Sequence, residues 1–257
     1  MDYQINGKRM GVDVLGSGAP LLLVHGLGGT ANSWAPVVAA FAGKMQLIVP
    51  DLPGAGRSAS DPAVSIESLA ADLLALLDAL CIDSAHVAGH SMGTVVCQHL
   101  AALAPTRVRD LVLLGPLAEA PEAARPALRA RADAALQDGM DPIAEVLCER
   151  ALAPVTRERQ PLVTGFVREL IQRQRAADYA AHCRALAAGV RADPAQIRCR
   201  SLLIAGHEDA TSPPASVAAL AASLPQATHL ELADCGHWTM LEQAAAVVAA
   251  MRDFYAA

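Results

Sequence analysis

AHVAGHSMGTVVCQHLAALA, residues 85–104, decides how this chain is built. The apolar run Ala85–Ala88 predicts a strand, and Thr94–Ala104 predicts a helix. Gly89-His90-Ser91-Met92-Gly93 lies between them. A turn this tight brings backbone so close that side chains flanking the serine would collide. Glycine on both sides removes the Cβ and tolerates an unusual φ. Ser91 is thereby held at the C-terminal end of a strand, its hydroxyl exposed and the dipole of the next helix beneath it. A serine so placed is a candidate nucleophile.

A serine hydroxyl attacks poorly until a base takes its proton, and the base needs an acid to fix its tautomer. Two later loops supply both groups. Leu202–Ala205 ends in Gly206-His207-Glu208-Asp209, and Leu230–Leu232 ends in Asp234-Cys235-Gly236-His237-Trp238. Each follows a predicted strand, and the chain order is serine, acid, histidine. His237 is the candidate base. Asp209 is the candidate acid on its loop position, with Glu208, Asp234 and Glu119 as rivals of the same chemical type. Earlier, Leu21–Val24 runs into His25-Gly26-Leu27-Gly28-Gly29. The N–H of Leu27, with that of Met92, would form a two-donor oxyanion hole.

Apolar runs alternate with helical periodicity along the chain, which implies βα units and a mostly parallel sheet. Tyr3–Ile5 and Met10–Leu15, joined at Asn6-Gly7, predict an opening hairpin. Further strands are expected over Leu21–Val24, Gln46–Val49, Ala85–Ala88, Leu111–Leu114, Leu202–Ala205 and Thr228–Leu232. Behind a candidate N-cap, Ser65, apolar residues recur at helical spacing from Ile66 to Leu80. A last helix should carry Leu241, Val247, Val248, Met251 and Phe254 against the sheet. The alternation breaks between Pro116 and Arg200, where short helices rich in Ala, Arg and Glu are punctuated by Pro and Gly.

On these residues the chain resembles the α/β-hydrolase fold superfamily. The likeness rests on His25–Gly29, Asp51-Leu52-Pro53-Gly54-Ala55-Gly56-Arg57-Ser58, the turn around Ser91, and the two late loops. The resemblance implies an eight-stranded, mostly parallel sheet flanked by helices. It also implies a core of residues 1–116 and 198–257, with a helical cap, 117–197, inserted over the site. The Asp209 loop resembles that of enol-lactone hydrolases and small carboxylesterases. His237-Trp238 with Leu241-Glu242 is more similar to carboxylesterases and carbon–carbon bond hydrolases. Serine at the turn sets aside epoxide hydrolases and haloalkane dehalogenases, which use aspartate there. His90 and Thr94 depart from the Asn and second Gly of carbon–carbon hydrolases. The expected activity is hydrolysis of a small to medium carboxylic ester or lactone through an acyl-enzyme. Alternatives are a 3-oxoadipate enol-lactone hydrolase, a carbon–carbon bond hydrolase, or a triad-bearing ligand receptor with little turnover.

Composition sets the remaining expectations. A chain of 257 residues, 53% hydrophobic, buries an ample core, and a net charge of −6 argues against nucleic acid as partner. The partner expected is a small-molecule ester or lactone. No apolar stretch is long enough for a membrane span, Met1–Met10 lacks the core of a signal peptide, and a cytoplasmic location is expected. The six cysteines form no C-x-x-C pair, and His207-Glu208 has no third ligand at metal spacing. Neither metal nor cofactor is therefore expected. Trp34 and Trp238 are candidates for the pocket wall or, equally, for the core. His90 is a candidate for pocket lining or packing. Phe166, with Val163, Val167, Leu170 and Ile171, gives the cap an apolar face toward either the pocket or the core. His25 is expected to brace the oxyanion loop, and Asp51–Ser58 to shape a turn beside the pocket.

Overall fold

A computed structural model describes residues 1–256. The strands are β1 (Asp2–Ile5), β2 (Lys8–Leu15), β3 (Ala19–Val24), β4 (Met45–Pro50), β5 (Ala85–His90), β6 (Val108–Leu114), β7 (Arg200–Gly206) and β8 (Ala227–Leu232). They form one 8-stranded sheet in the order β1-β2-β4-β3-β5-β6-β7-β8. β1 and β2 pair antiparallel, β2 joins β4 antiparallel, and every other pairing is parallel. Each strand runs beyond its predicted run, because backbone ladder pairing does not stop where the run of larger apolar side chains ends. Asn6 (φ 48°) and Gly7 (φ 78°) close the β1–β2 hairpin with Ile5 opposite Lys8. Two successive positive φ values match the twist of the flanking strands.

Period-two alternation sends neighbouring residues of one strand to opposite faces. Leu22 and Val24 join the cluster that packs α2 (Ile66–Ala79) and α3 (Met92–Leu103), whereas Leu21 and Leu23 join the cluster containing Val37 and Phe41 of α1 (Ala35–Phe41). Ser65 caps α2 reciprocally with Ser68, as its spacing predicts. Between β6 and β7 the chain inserts α4 (Arg125–Asp138), α5 (Asp141–Ala151), α6 (Pro154–Arg159), α7 (Pro161–Gln172) and α8 (Ala176–Ala188). α9 (Pro214–Ser223) follows β7. The expected single last helix is two pieces, α10 (Thr239–Glu242) and α11 (Ala244–Ala256), because Gln243 departs from helical geometry (φ −126°, ψ 48°). Val247 and Met251 bury from α11, while Leu241 belongs to α10. No helix among the described residues is long and apolar enough to cross a membrane.

The strand order turns back between β3 and β5, and crevices at such a switch point collect ligand sites at the strands' C-terminal ends. The loops after β3, β5, β7 and β8 carry Leu27, Ser91, Asp209 and His237 to that end. Beside Ser91, α3 and β3 approach closely. A Cβ on Gly93 would lie 2.5 Å from the Val24 carbonyl oxygen and 2.6 Å from that of His25. Gly93→Ala should therefore cost about 2–3 kcal/mol of stability, read as a lower denaturant midpoint.

Candidate active site

Ser91 sits between β5 and α3 with φ 52° and ψ −121°, a conformation L-residues seldom adopt. Packing holds it there. A Cβ on Gly89 would meet the Gly93 carbonyl oxygen at 2.7 Å and Cys97 Sγ at 2.8 Å. The Ser91 N–H donates to the Leu114 carbonyl at 3.0 Å. Thr94 Oγ1 donates to the Ser91 carbonyl at 2.6 Å and accepts from the Leu117 N–H at 3.0 Å. Thr94 thereby joins the turn to the start of the inserted segment.

The two late loops meet at this serine. His237 Nε2 lies 2.7 Å from Ser91 Oγ, and His237 Nδ1 lies 2.7 Å from Asp209 Oδ2. All three are buried. Asp209 Oδ1 accepts from the N–H groups of Thr211 at 2.8 Å and Ser212 at 2.9 Å. Burial works against its charged form, yet His237 and these N–H groups hold its carboxyl below the ordinary value. The rivals fall elsewhere: Glu208 and Asp234 are exposed, and Glu119 pairs with Arg125 at 2.9 Å. Gly115 lies so near the imidazole that a Cβ there would come 2.9 Å from His237 Nδ1.

The His237 loop hangs on a buried carboxylate that sequence reasoning did not single out. Glu242 Oε2 accepts from the N–H of Ala153 (2.8 Å), Thr156 Oγ1 (2.9 Å) and the N–H of Gly236 (3.0 Å). Its Oε1 accepts from the Trp238 N–H at 3.0 Å. Burial pushes the Glu242 carboxyl up, and the four donors oppose the shift. The His237 N–H adds a 2.7 Å bond to the Ala151 carbonyl. The signal available was an acid five residues after the histidine inside an apolar stretch.

Gly26 abuts Ser91, since a Cβ on it would be 2.8 Å from Ser91 Cβ. Leu27 follows directly. Among the described residues, neither the Leu27 N–H nor the Met92 N–H is engaged by a protein acceptor. His25 braces this loop as expected. The Leu52 N–H donates to His25 Nε2 at 2.9 Å, so Nδ1 carries the proton and donates to the Gly26 carbonyl at 2.9 Å. Asp51 accepts from the Ala31 N–H (2.7 Å) and from Arg57 Nε (2.7 Å), shaping the adjoining turn.

A cavity of about 450 Å³ opens over Ser91, with Leu27, His90, His237 and Trp238 in its wall. His90 serves both expected roles: it lines the cavity, its Nε2 donates to the His237 carbonyl at 2.9 Å, and its ring packs 4.8 Å from Trp238. Two expectations for the wall need correction. Trp34 is fully buried behind β3 and β4 in the core cluster and does not reach the cavity. Phe166 packs against the same cluster, because the face of α7 that carries the buried Val167, Leu170 and Ile171 turns to the core. The wall is completed by residues that were not singled out, among them Tyr179, Arg131 and Arg150. No group of three or more His, Cys, Asp or Glu able to hold a metal ion occurs among the described residues.

A family model for the alpha/beta hydrolase fold matches residues 19–244. RutD of Azorhizobium caulinodans, named for carbamate hydrolysis, is 41% identical over 42% of this chain; the chain spans only 41% of that relative's length. 3-oxoadipate enol-lactonase 2 of Acinetobacter baylyi is 31% identical, covering 87% of this chain and 83% of the relative. Among solved structures, a thermophilic esterase of Thermogutta terrifontis superposes with TM-score 0.93 at 27% identity, over 99% of this chain and 97% of that one. The enol-lactonase of Burkholderia xenovorans superposes with TM-score 0.92 at 29% identity over 100% of both chains.

The buried histidines dictate a pH dependence of stability. Burial lowers His90 to about 3 and His182 to about 4. Unfolded histidine titrates near about 6.5, so between pH 6.5 and 4 the unfolded chain binds protons that the fold refuses. Stability should therefore fall as pH falls through that window. Chemical denaturation at stepped pH should show the fall, and His182→Gln should flatten it by about 1.4 kcal/mol per pH unit.

Proposed function

The chain belongs to the α/β-hydrolase fold family, and from that premise we propose that it is a serine hydrolase acting on a small to medium carboxylic ester or lactone. The observation that carries the reading is the run Asp209–His237–Ser91, 2.7 Å at each step, opening on the cavity. His237 Nε2 takes the proton of Ser91 Oγ as the oxygen bonds to the substrate carbonyl carbon. The carbonyl electron pair moves onto its oxygen, where the N–H groups of Leu27 and Met92 donate to it. Asp209 holds the imidazole tautomer and stabilises the imidazolium. The carbonyl then re-forms, the C–O bond to the leaving oxygen breaks, and His237 hands that oxygen its proton. In a lactone the new hydroxyl stays tethered to the acyl group. Water next gives a proton to His237 and bonds to the acyl carbon, and Ser91 departs with that proton. Ester and water become acid and alcohol.

Helices α4–α8 act as a lid, closing the cavity over the serine and limiting the water that competes with substrate. Trp238 and His90 form part of the wall against which the substrate rests. The esterase and enol-lactonase relatives support both substrate types. The enol-lactone reading is favoured by full-length likeness to two enol-lactonases.

Hydrolysis of 4-nitrophenyl esters of increasing acyl length tests the proposal. Wild type should release 4-nitrophenol with one preferred length. Ser91→Ala should lower kcat by at least about 10³-fold with the fold retained, and Asp209→Asn by about 10³- to 10⁴-fold. Undiminished turnover by Ser91→Ala would overturn the reading.

A further inference from the structure

The cavity over Ser91 contains an electrostatic imbalance that ester cleavage does not require. In a chain of net charge −6, its wall carries the side chains of Arg131 and Arg150 and no aspartate or glutamate. Both arginines come from the inserted helices. On α4, Arg131 lies one turn beyond Ala127 and Leu128 on the face turned to the cavity. On α5, Arg150 shares the cavity face with Leu147 and Ala151. Arg131 is half-buried and Arg150 is exposed at the rim.

Carboxylates in this part of the chain are spent elsewhere. Glu119 meets Arg125 at 2.9 Å, Glu145 meets Arg168 at 2.6 Å, Glu169 meets Arg173 at 2.9 Å, and Asp133 meets Arg184 at 2.8 Å. Among the described residues, no carboxylate comes within 4.0 Å of the Arg131 or Arg150 guanidinium. A third group completes the picture. Tyr179, from α8, lines the same cavity at 1% exposure beside Arg131, with its hydroxyl closed off from solvent. Burial pushes its phenol up while the charge of Arg131 works the other way, so it remains a protonated donor at neutral pH. Arg131, half-buried beside an apolar wall and without a carboxylate partner, forms with Arg150 at the rim a site that favours an anionic acceptor.

We propose that Arg131 and Arg150 form a carboxylate-binding subsite, with Tyr179 packed beside Arg131, so that the substrate cleaved at Ser91 is anionic. The serine-hydrolase reading supplies which bond is cut; the arginines supply the charge class. Guanidinium groups at the cavity draw a carboxylate-bearing ester or lactone toward a molecule whose net charge repels it. The carboxylate then orients the scissile carbonyl over Ser91. The inserted segment thereby sets charge selectivity, while the core supplies the chemistry.

The test separates the two readings. 4-Nitrophenyl butyrate is a neutral ester, and mono-4-nitrophenyl glutarate adds a carboxylate on the acyl side. 4-(Butyryloxy)benzoate carries one on the leaving side. For wild type, Arg131→Gln and Arg150→Gln, the ratio of anionic to neutral kcat/KM is measured, and glutarate binding is measured separately by calorimetry. We expect each variant to lower the ratio for at least one anionic ester by about tenfold, and to weaken glutarate by a similar factor. Added salt should narrow the wild-type preference. Ratios unmoved in both variants overturn the subsite even where turnover depends on Ser91. If no ester is turned over, glutarate binding decides: arginine-dependent binding upholds the subsite and tells against the hydrolase reading, and its absence overturns both.

Discussion

Backbone comes so close to backbone around Ser91 that three glycines, Gly26, Gly89 and Gly93, are the only residues that fit where they stand. That crowding is the constraint on which the rest of the molecule depends. It forces the serine into a positive φ, a strain of about 1–3 kcal/mol that persists only where neighbours over-determine it. The neighbours are β6 through Leu114, the loop after β3 through Gly26, and α3 through Thr94. β3, β5 and β6 of the parallel sheet thus converge on one residue, Ser91. Their order about the switch point, with β5 beside β3 and β6, follows from the same need.

Histidine chemistry is controlled by where carbonyl groups lie. His25 donates to Gly26, His90 to His237 and His182 to Pro53, each through one ring nitrogen to a backbone oxygen. Burial keeps these three rings neutral, which spares the site extra cations near the imidazole of His237. His237 alone has a carboxylate at Nδ1 and a hydroxyl at Nε2. The difference between a bracing histidine and a base here lies in the partner rather than the residue.

Much of this was legible in the amino-acid order, because the strongest signals are local. Apolar runs punctuated by Gly place the strands, and the turn around Ser91 announces itself by its glycines. Asp209 and His237 follow from standing just past strands. What escaped depends on distance through space. Trp34 and Phe166 each read as wall or core, and only the packing of the turn before α1 and of α7 turned them away from the cavity. Glu242 gains its role from Ala153 and Thr156, far off in the chain, and Arg131 differs from other arginines of the insertion only in its face of α4. The split of the last helix at Gln243 had no propensity signal, since an apolar pattern runs through it.

The inserted helices share their apolar side chains with the sheet. Leu170, Ile171 and Tyr179 belong to the same cluster as Leu21, Leu23 and Val112, and Gly28 lies against Ile171 and Tyr179. Polar ties add to it: Gln174 donates to the Gly28 carbonyl at 3.2 Å, and Arg175 to that of Ser58 at 2.9 Å. A segment sewn in this way cannot swing open as a hinged flap without baring the hydrophobic interior of the whole molecule. The same continuity makes insertion and sheet one cooperative unit in folding, so that damage to either is felt as a single melting transition.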